Sequence, residues 1–121
     1  MTIKLKTIIL AIPALSKVTG GDLSLRLAYR MKQNISALQK EADFFSEQRQ
    51  KIFEKYGTPK DDGTYAFTEE NEPKAIAELD ELLELEVSPE VEIIDIPVTE
   101  NLYLSVNDIG LLMPFIHFID E

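Results

Sequence analysis

Residues 24–57 read SLRLAYRMKQNISALQKEADFFSEQRQKIFEKYG, and the fold turns on how this stretch is understood. Ala28, Met31, Ile35, Leu38, Ala42, Phe45, Arg49, Ile52 and Tyr56 recur at alternating spacings of three and four. That spacing is an apolar helical stripe sustained over four heptads and broken only at Arg49. Lys32, Gln39, Lys40, Glu47 and Lys51 fall between these positions and read as a solvated face. Ser24 is the expected N-cap, and no Gly or Pro intervenes before Gly57, the expected stop. A helix of ~33 residues is a rod of about 50 Å. Such a rod exceeds the needs of a small compact domain, so it is expected to project or to form one arm of a helical hairpin.

Outward from the rod, Thr58–Thr64 reads as a loop with Asp62-Gly63 as its turn dipeptide. Tyr65-Ala66-Phe67 alternates briefly, as a short strand or a hydrophobic plug. The second arm is predicted from Glu72 or Pro73 to Glu86, with acidic residues at its start favoured by the helix dipole. Its packing face is expected to be Ile76, Leu79, Leu82, Leu83 and Glu86, laid antiparallel on the distal rod.

On the N-terminal side, Thr2–Leu5 is read as extended and residues 7–18 as a helix burying Ile8, Ile9, Ile12 and Leu15. Pro13 is expected to bend that helix or confine it to its first turn, and Gly20-Gly21 to end it. Lys4 and Lys6 before Thr7–Pro13 look like the start of a signal peptide. The apolar run is short, no small-x-small site follows, and Lys17 comes early, so the helix is preferred. The run is also well short of the ~20 apolar residues that span a bilayer.

On the C-terminal side, Val91–Val98 is rich in β-branched residues and reads as a strand, at an edge or ending at Pro97. Tyr103-Leu104 is a candidate for a second short strand. Ser105 is expected to cap a last helix over residues 106–119, with Asp108 in its first turn and Pro114 kinking or splitting it. Ile109, Leu112, Phe115, Ile116 and Ile119 would face the core. The predicted fold is α+β and mostly α, one domain over residues 1–121. It comprises a long antiparallel helical hairpin (about 24–86), a small β element and a C-terminal helix (about 90–119).

Composition narrows the function. The 121 residues are 45% hydrophobic, with 12 Lys and Arg against 22 Asp and Glu, a net charge of -10. Residues 1–60 carry +6 and residues 61–121 carry -16, with Lys74 the only cation of the second half. A basic face for nucleic acid is missing, and the cations of the rod are interleaved with Glu and Gln. There is no Cys, hence no disulfide, thiol nucleophile or thiolate metal site. Asp61-Asp62-Gly63 followed by Glu69-Glu70 misses the ligand positions of a calcium loop and reads as turn chemistry. His117 is the sole His and is expected to be a half-buried packing residue, with Asp120 its only visible carboxylate. No catalytic residue, cofactor site or metal site is therefore assigned, and the chain is read as a non-enzyme that binds neither nucleic acid nor membrane.

Two surfaces are singled out for protein partners. Glu69, Glu70, Glu72, Glu78, Asp80, Glu81 and Glu84 are an acidic face that either imitates a row of phosphates or serves solubility. Ala28, Met31, Ile35 and Leu38 are a seam lying beyond the reach of a 14-residue second arm of ~21 Å. Their cover must come from the N-terminal helix, the C-terminal helix or another chain, and a homodimer paired antiparallel through residues 24–45 is expected.

Ile12-Pro13-Ala14-Leu15, Glu54-Lys55-Tyr56-Gly57, Asp61-Asp62-Gly63-Thr64-Tyr65, Glu78-Leu79-Asp80-Glu81-Leu82-Leu83 and Leu112-Met113-Pro114-Phe115-Ile116 succeed one another along most of the chain. This succession resembles small accessory proteins encoded by bacteriophages and prophages. The motifs are caps, turns and helix faces, so the resemblance carries no site residues. It implies a phage origin and an accessory or assembly role through protein–protein contact, in the host cytoplasm or on the virion. The alternative is an acidic, nucleic-acid-mimicking inhibitor of a host nucleic-acid-binding or defence protein.

Overall fold

In the computed structural model, which describes residues 2–21, 23–98 and 102–120, the apolar stripe lies on one unbroken helix, α2 (Leu25–Tyr56). Met31 and Leu38 are fully buried, Ala42 is buried, and Ala28, Ile35, Phe45, Ile52 and Tyr56 are half-buried. Arg49, the break in the stripe, is exposed and holds its guanidinium 4.7 Å from the centre of the Phe53 ring. The stripe survives the interruption because a cation can lie over an aromatic face. Ser24 occupies the N-cap position without a side-chain bond; its carbonyl accepts from the Ala28 N–H at 2.9 Å.

Gly57 ends α2 by opening into extended backbone. A Cβ there would lie 2.9 Å from the Phe53 carbonyl oxygen and 3.0 Å from the Phe67 ring, so a side chain would force the next two strands off the helix end. Those strands, β2 (Gly57–Pro59) and β3 (Tyr65–Phe67), pair antiparallel. Gly63 takes a positive φ of 84° in the turn between them, and Asp62 Oδ1 accepts from the Thr64 N–H and hydroxyl at 3.1 and 2.6 Å. Tyr65-Ala66-Phe67 is strand and plug together, because the Phe53 ring packs against both Tyr65 and Phe67, at centroid distances of 5.8 and 5.7 Å.

The return arm is α3 (Asn71–Glu84), packed along α2. Its inner face differs from expectation. Ala75 is buried and Leu79, Leu82 and Leu83 are half-buried, while Ile76 is 51% exposed and Glu86 lies beyond the helix. Asn71 fixes this phase by donating from Nδ2 to the Tyr56 carbonyl at 3.2 Å.

The N-terminal helix α1 (Leu5–Thr19) continues through Pro13, which lies on the exposed side. It is not confined to its first turn, and Leu5, Ile8, Ala11, Ala14, Leu15 and Val18 are all buried on the opposite side. Ile9 and Ile12, expected on that face, are only half-buried, whereas the small Ala11 and Ala14 are fully buried. Before α1, β1 (Ile3–Lys4) pairs antiparallel with β4 (Glu86–Val87), which ties the start of the chain to the end of the hairpin.

The C-terminal third departs most from the sequence reading. β5 (Ile94–Pro97) ends at Pro97 as expected, but Tyr103-Leu104 is irregular. The last helix, α4 (Val106–Leu112), stops before Pro114, and the residues expected to continue it form β6 (Ile116–Ile119). Proline lacks the N–H that a helix needs and disfavours helical backbone at the residue before it. Downstream, Ile116-His117-Phe118-Ile119 has β-forming composition and pairs parallel with β5, Ile94 opposite Ile116 and Asp95 opposite His117. Helix α1 contacts α2, α3 and α4, so the shared core gathers Ile8, Leu15, Met31, Leu38, Ile96 and Phe115.

Candidate functional site

The unit β5–α4–β6 is held to the helices by two buried polar groups. Asn34, on α2, holds the backbone of Glu92, two residues before β5. Its Nδ2 donates to the Glu92 carbonyl at 2.7 Å and its Oδ1 accepts from the Glu92 N–H at 3.3 Å. Asp108 closes a capping box with Ser105 and receives the Lys17 ammonium at 2.8 Å. That ammonium, and then the Ser105 N–H, hold the Asp108 carboxyl below its ordinary range.

With its inner face spent on the core, this unit still presents much apolar surface outward. Val106 is 89% exposed and Met113 is 68% exposed, and Ile93, Val98, Tyr103 and Ile109 are exposed as well. Two grooves cut the surface. One of about 500 Å³ is lined by Ile93, by Ile109 of α4, by Met113 just past that helix, and by Ile116, His117 and Phe118 of β6. The other, about 230 Å³, lies among Pro97, Leu102, Leu104 and Val98. Ile109 and Phe118 line both, so the grooves meet there. Clustered apolar exposure of this kind marks binding surfaces. It is concealed in the sequence because Ile109, Phe115, Ile116 and Ile119 satisfy the spacing of a core-facing helix.

His117 is on the outer face of the two-stranded sheet. Its side chain is 69% exposed rather than half-buried, and its Nδ1 lies 3.1 Å from Asp95 Oδ1, the carboxylate brought opposite by the parallel register. Asp120 is not its partner. Among the described residues no group of three or more His, Cys, Asp or Glu is placed to hold a metal ion, and no helix is long and apolar enough to cross a membrane.

The acidic residues named from sequence divide into two sets. Glu84 is clamped between Lys4 and Lys6, at 2.6 Å from each, and these hydrogen bonds, that from Lys4 first, lower its pKa to about 2. Glu78 accepts from Lys55 and from the Tyr56 hydroxyl at 3.0 and 3.1 Å, and Lys55 chiefly lowers its pKa. Glu70 lies 3.7 Å from Lys74. Glu69, Glu72, Asp80 and Glu81 have no ion pair among the described residues, and the first three flank the exposed Ile76 in a shallow groove.

The clamp has a consequence for acid stability. A carboxylate whose folded pKa is depressed stabilises the fold above its ordinary pKa and loses that contribution as pH falls through the folded value. For Glu84 the window runs from its ordinary 4.5 down to about 2. The double variant Lys4→Ala/Lys6→Ala is therefore expected to lose less melting temperature than the parent between about pH 5 and about pH 2. Parallel pH profiles would refute the clamp.

Of the expected seam residues, Met31 and Leu38 belong to the core that α1 and β5 complete, and Ile35 packs against it. Met31 and Leu38 are thus covered within one chain, whereas Ala28 and Ile35 are half-buried. No family model, curated protein or solved structure matches the chain.

Proposed function

We propose that this chain is a non-enzymatic interaction protein that docks on another protein through the apolar surface of β5, α4 and β6. The observation that carries the reading is the pair of grooves meeting at Ile109 and Phe118, beside Met113 and Val106. The phage-like succession of motifs supports an accessory or assembly role in an infected cell, and that is the setting we propose. A second reading, the nucleic-acid mimic, is favoured by Glu69, Glu72, Asp80 and Glu81 of the hairpin, which have no ion pair among the described residues.

Affinity capture from a bacterial host, read by mass spectrometry, separates the two. Three baits are compared: the parent, Val106→Glu/Met113→Glu, and Glu69→Gln/Glu72→Gln/Asp80→Asn. All substitutions are at exposed positions. The expected partner is held by the parent and by the neutralised variant, survives moderate salt, and is lost from Val106→Glu/Met113→Glu. A partner released by salt and by neutralisation, yet indifferent to Met113, would establish the mimic instead.

A further inference from the structure

The outer faces of α2 and α3 are complementary to each other, and neither is covered within the chain. Met31, Asn34, Leu38 and Ala42 fix the buried side of α2, which puts Tyr29, Lys32, Ser36 and Lys40 on the opposite, exposed side. Gln33, Ser36, Ala37 and Lys40 stand at i, i+3, i+4 and i+7. Four residues so spaced are the corners of a hole that takes one side chain from a facing helix. All four line a groove of about 400 Å³, together with Tyr29 and Lys32. Ser36 and Ala37 at its centre are small, so a second helix can approach closely.

A matching knob stands on α3. Ile76 is 51% exposed, with Glu72 four residues before it and Asp80 four residues after it. Lys32 and Lys40 have the same spacing about Ser36 on α2. At 1.5 Å per residue each pair spans ~12 Å, so two carboxylates and two ammoniums fall into register. All four side chains are exposed, and none has an ion pair among the described residues. Glu70 and Lys74 pair with each other, and neither lines the groove beside Ile76. Glu90 also lines the α2 groove, which therefore sets two ammoniums against one carboxylate.

Charge also selects the direction of the pairing. With α3 of a second copy parallel to α2, Glu72 meets Lys32 and Asp80 meets Lys40. Glu69 then falls beside Tyr29, whose hydroxyl can donate to it. Run antiparallel, the same ridge would bring Glu69 against the exposed Asp43, three residues past Lys40. Opposite charge at equal spacing, around one knob and one hole, is the complement that a copy of this chain brings.

Independently of the docking surface on β5, α4 and β6, we infer that the chain associates with a second copy of itself. The α3 ridge of one copy seats in the α2 groove of the other, Ile76 entering the hole at Ser36 and Ala37. This differs from an antiparallel pairing of two α2 helices: the contact joins two different surfaces, ridge to groove. Exposed ion pairs around a single apolar knob make the association weak and sensitive to salt.

Sedimentation equilibrium of the full chain over about a hundredfold range of concentration is the test. At about 0.05 M salt the mass is expected to rise above 13.7 kDa with concentration, and about 0.5 M salt to weaken association about tenfold or more. Lys32→Glu/Lys40→Glu and Glu72→Lys/Asp80→Lys change exposed positions only, so each is expected to melt like the parent yet stay at 13.7 kDa. An equimolar mixture of the two should associate again, because the acidic groove of one accepts the basic ridge of the other. Two further variants keep the test independent of charge reversal. Ile76→Ala is expected to weaken association severalfold, and Glu90→Gln to tighten it by removing the opposing charge of the groove. A mass of 13.7 kDa at every concentration would overturn the inference, as would a mixture of the reversed variants that fails to associate. Self-association indifferent to both reversals, and lost in Val106→Glu/Met113→Glu, would overturn it too and give the contact to the docking surface.

Discussion

Leu38→Asp is expected to abolish the cooperative thermal transition of the protein. Leu38 has no exposed surface and sits where α2 meets the core residues of α1 and β5. A carboxylate there would be shut off from water, and burying a polar group without partners costs several kcal/mol. That is comparable with the whole stability of a small domain, ~5–15 kcal/mol. Leu82→Asp, at a position that the hairpin reading treats as equivalent, is expected to behave differently. Leu82 is half-buried on α3, so its carboxylate can reach water, and the variant should melt earlier but still cooperatively. Circular dichroism melts of the two variants decide the matter. A Leu38→Asp melt within a few degrees of the parent would mean that α2 is rotated from the phase described.

The same contrast explains which parts of the fold are legible in the sequence. On α2 one apolar stripe runs the length of the helix and Gly57 stands where it ends, so the helix and most of its inner face can be read, although Leu27 and Phe53 pack from outside the stripe. On α3, Ala75, Ile76, Ala77, Leu79, Leu82 and Leu83 support two overlapping stripes. The bulkier Ile76 suggests one; the packing of Ala75 against neighbours distant in sequence selects the other. Residues 109–119 are ambiguous in kind, because Ile109, Leu112, Phe115, Ile116 and Ile119 fit a helix while Phe115–Ile119 also fits a strand. Pro114 is the local signal, and it marks the break without specifying the conformation of the residues after it. Their strand conformation depends on β5, some twenty residues earlier, and on a parallel register that no local pattern encodes. Asn34 and the His117–Asp95 pair escape a sequence reading for the same reason: their partners, the Glu92 backbone and Asp95, become neighbours only through tertiary structure. The candidate docking surface is hidden in the same way, whereas the acidic face, a matter of composition along one helix, is visible at once.

Phe115→Ala is expected to be the most damaging truncation in the C-terminal unit, at about 3–5 kcal/mol, and to lower the melting temperature by ~10 °C or more. Phe115 is among the largest fully buried side chains, and its backbone is the hinge of the unit. Its N–H donates to the Leu112 carbonyl at 2.9 Å, closing α4, and its carbonyl accepts from the Ile94 N–H at 3.1 Å, opening β6. A cavity at this point removes the packing that holds helix end and strand start together, so amide protection across β5 and β6 should fall with the melting temperature. Met113→Ala, two residues away and largely exposed, is expected to stay within about 0.5 kcal/mol of the parent, as surface truncations do. The pair thus separates the two demands on this short segment: Phe115 keeps the unit folded, and Met113 is exposed on the proposed docking surface. Were the chain helical through residue 119, the N–H of Ile94 would have no claim on Phe115, and Phe115→Ala would leave the exchange of β5 amides unchanged. Equal losses from Phe115→Ala and Met113→Ala would likewise remove Phe115 as the anchor, and with it the division between core and docking surface in this unit.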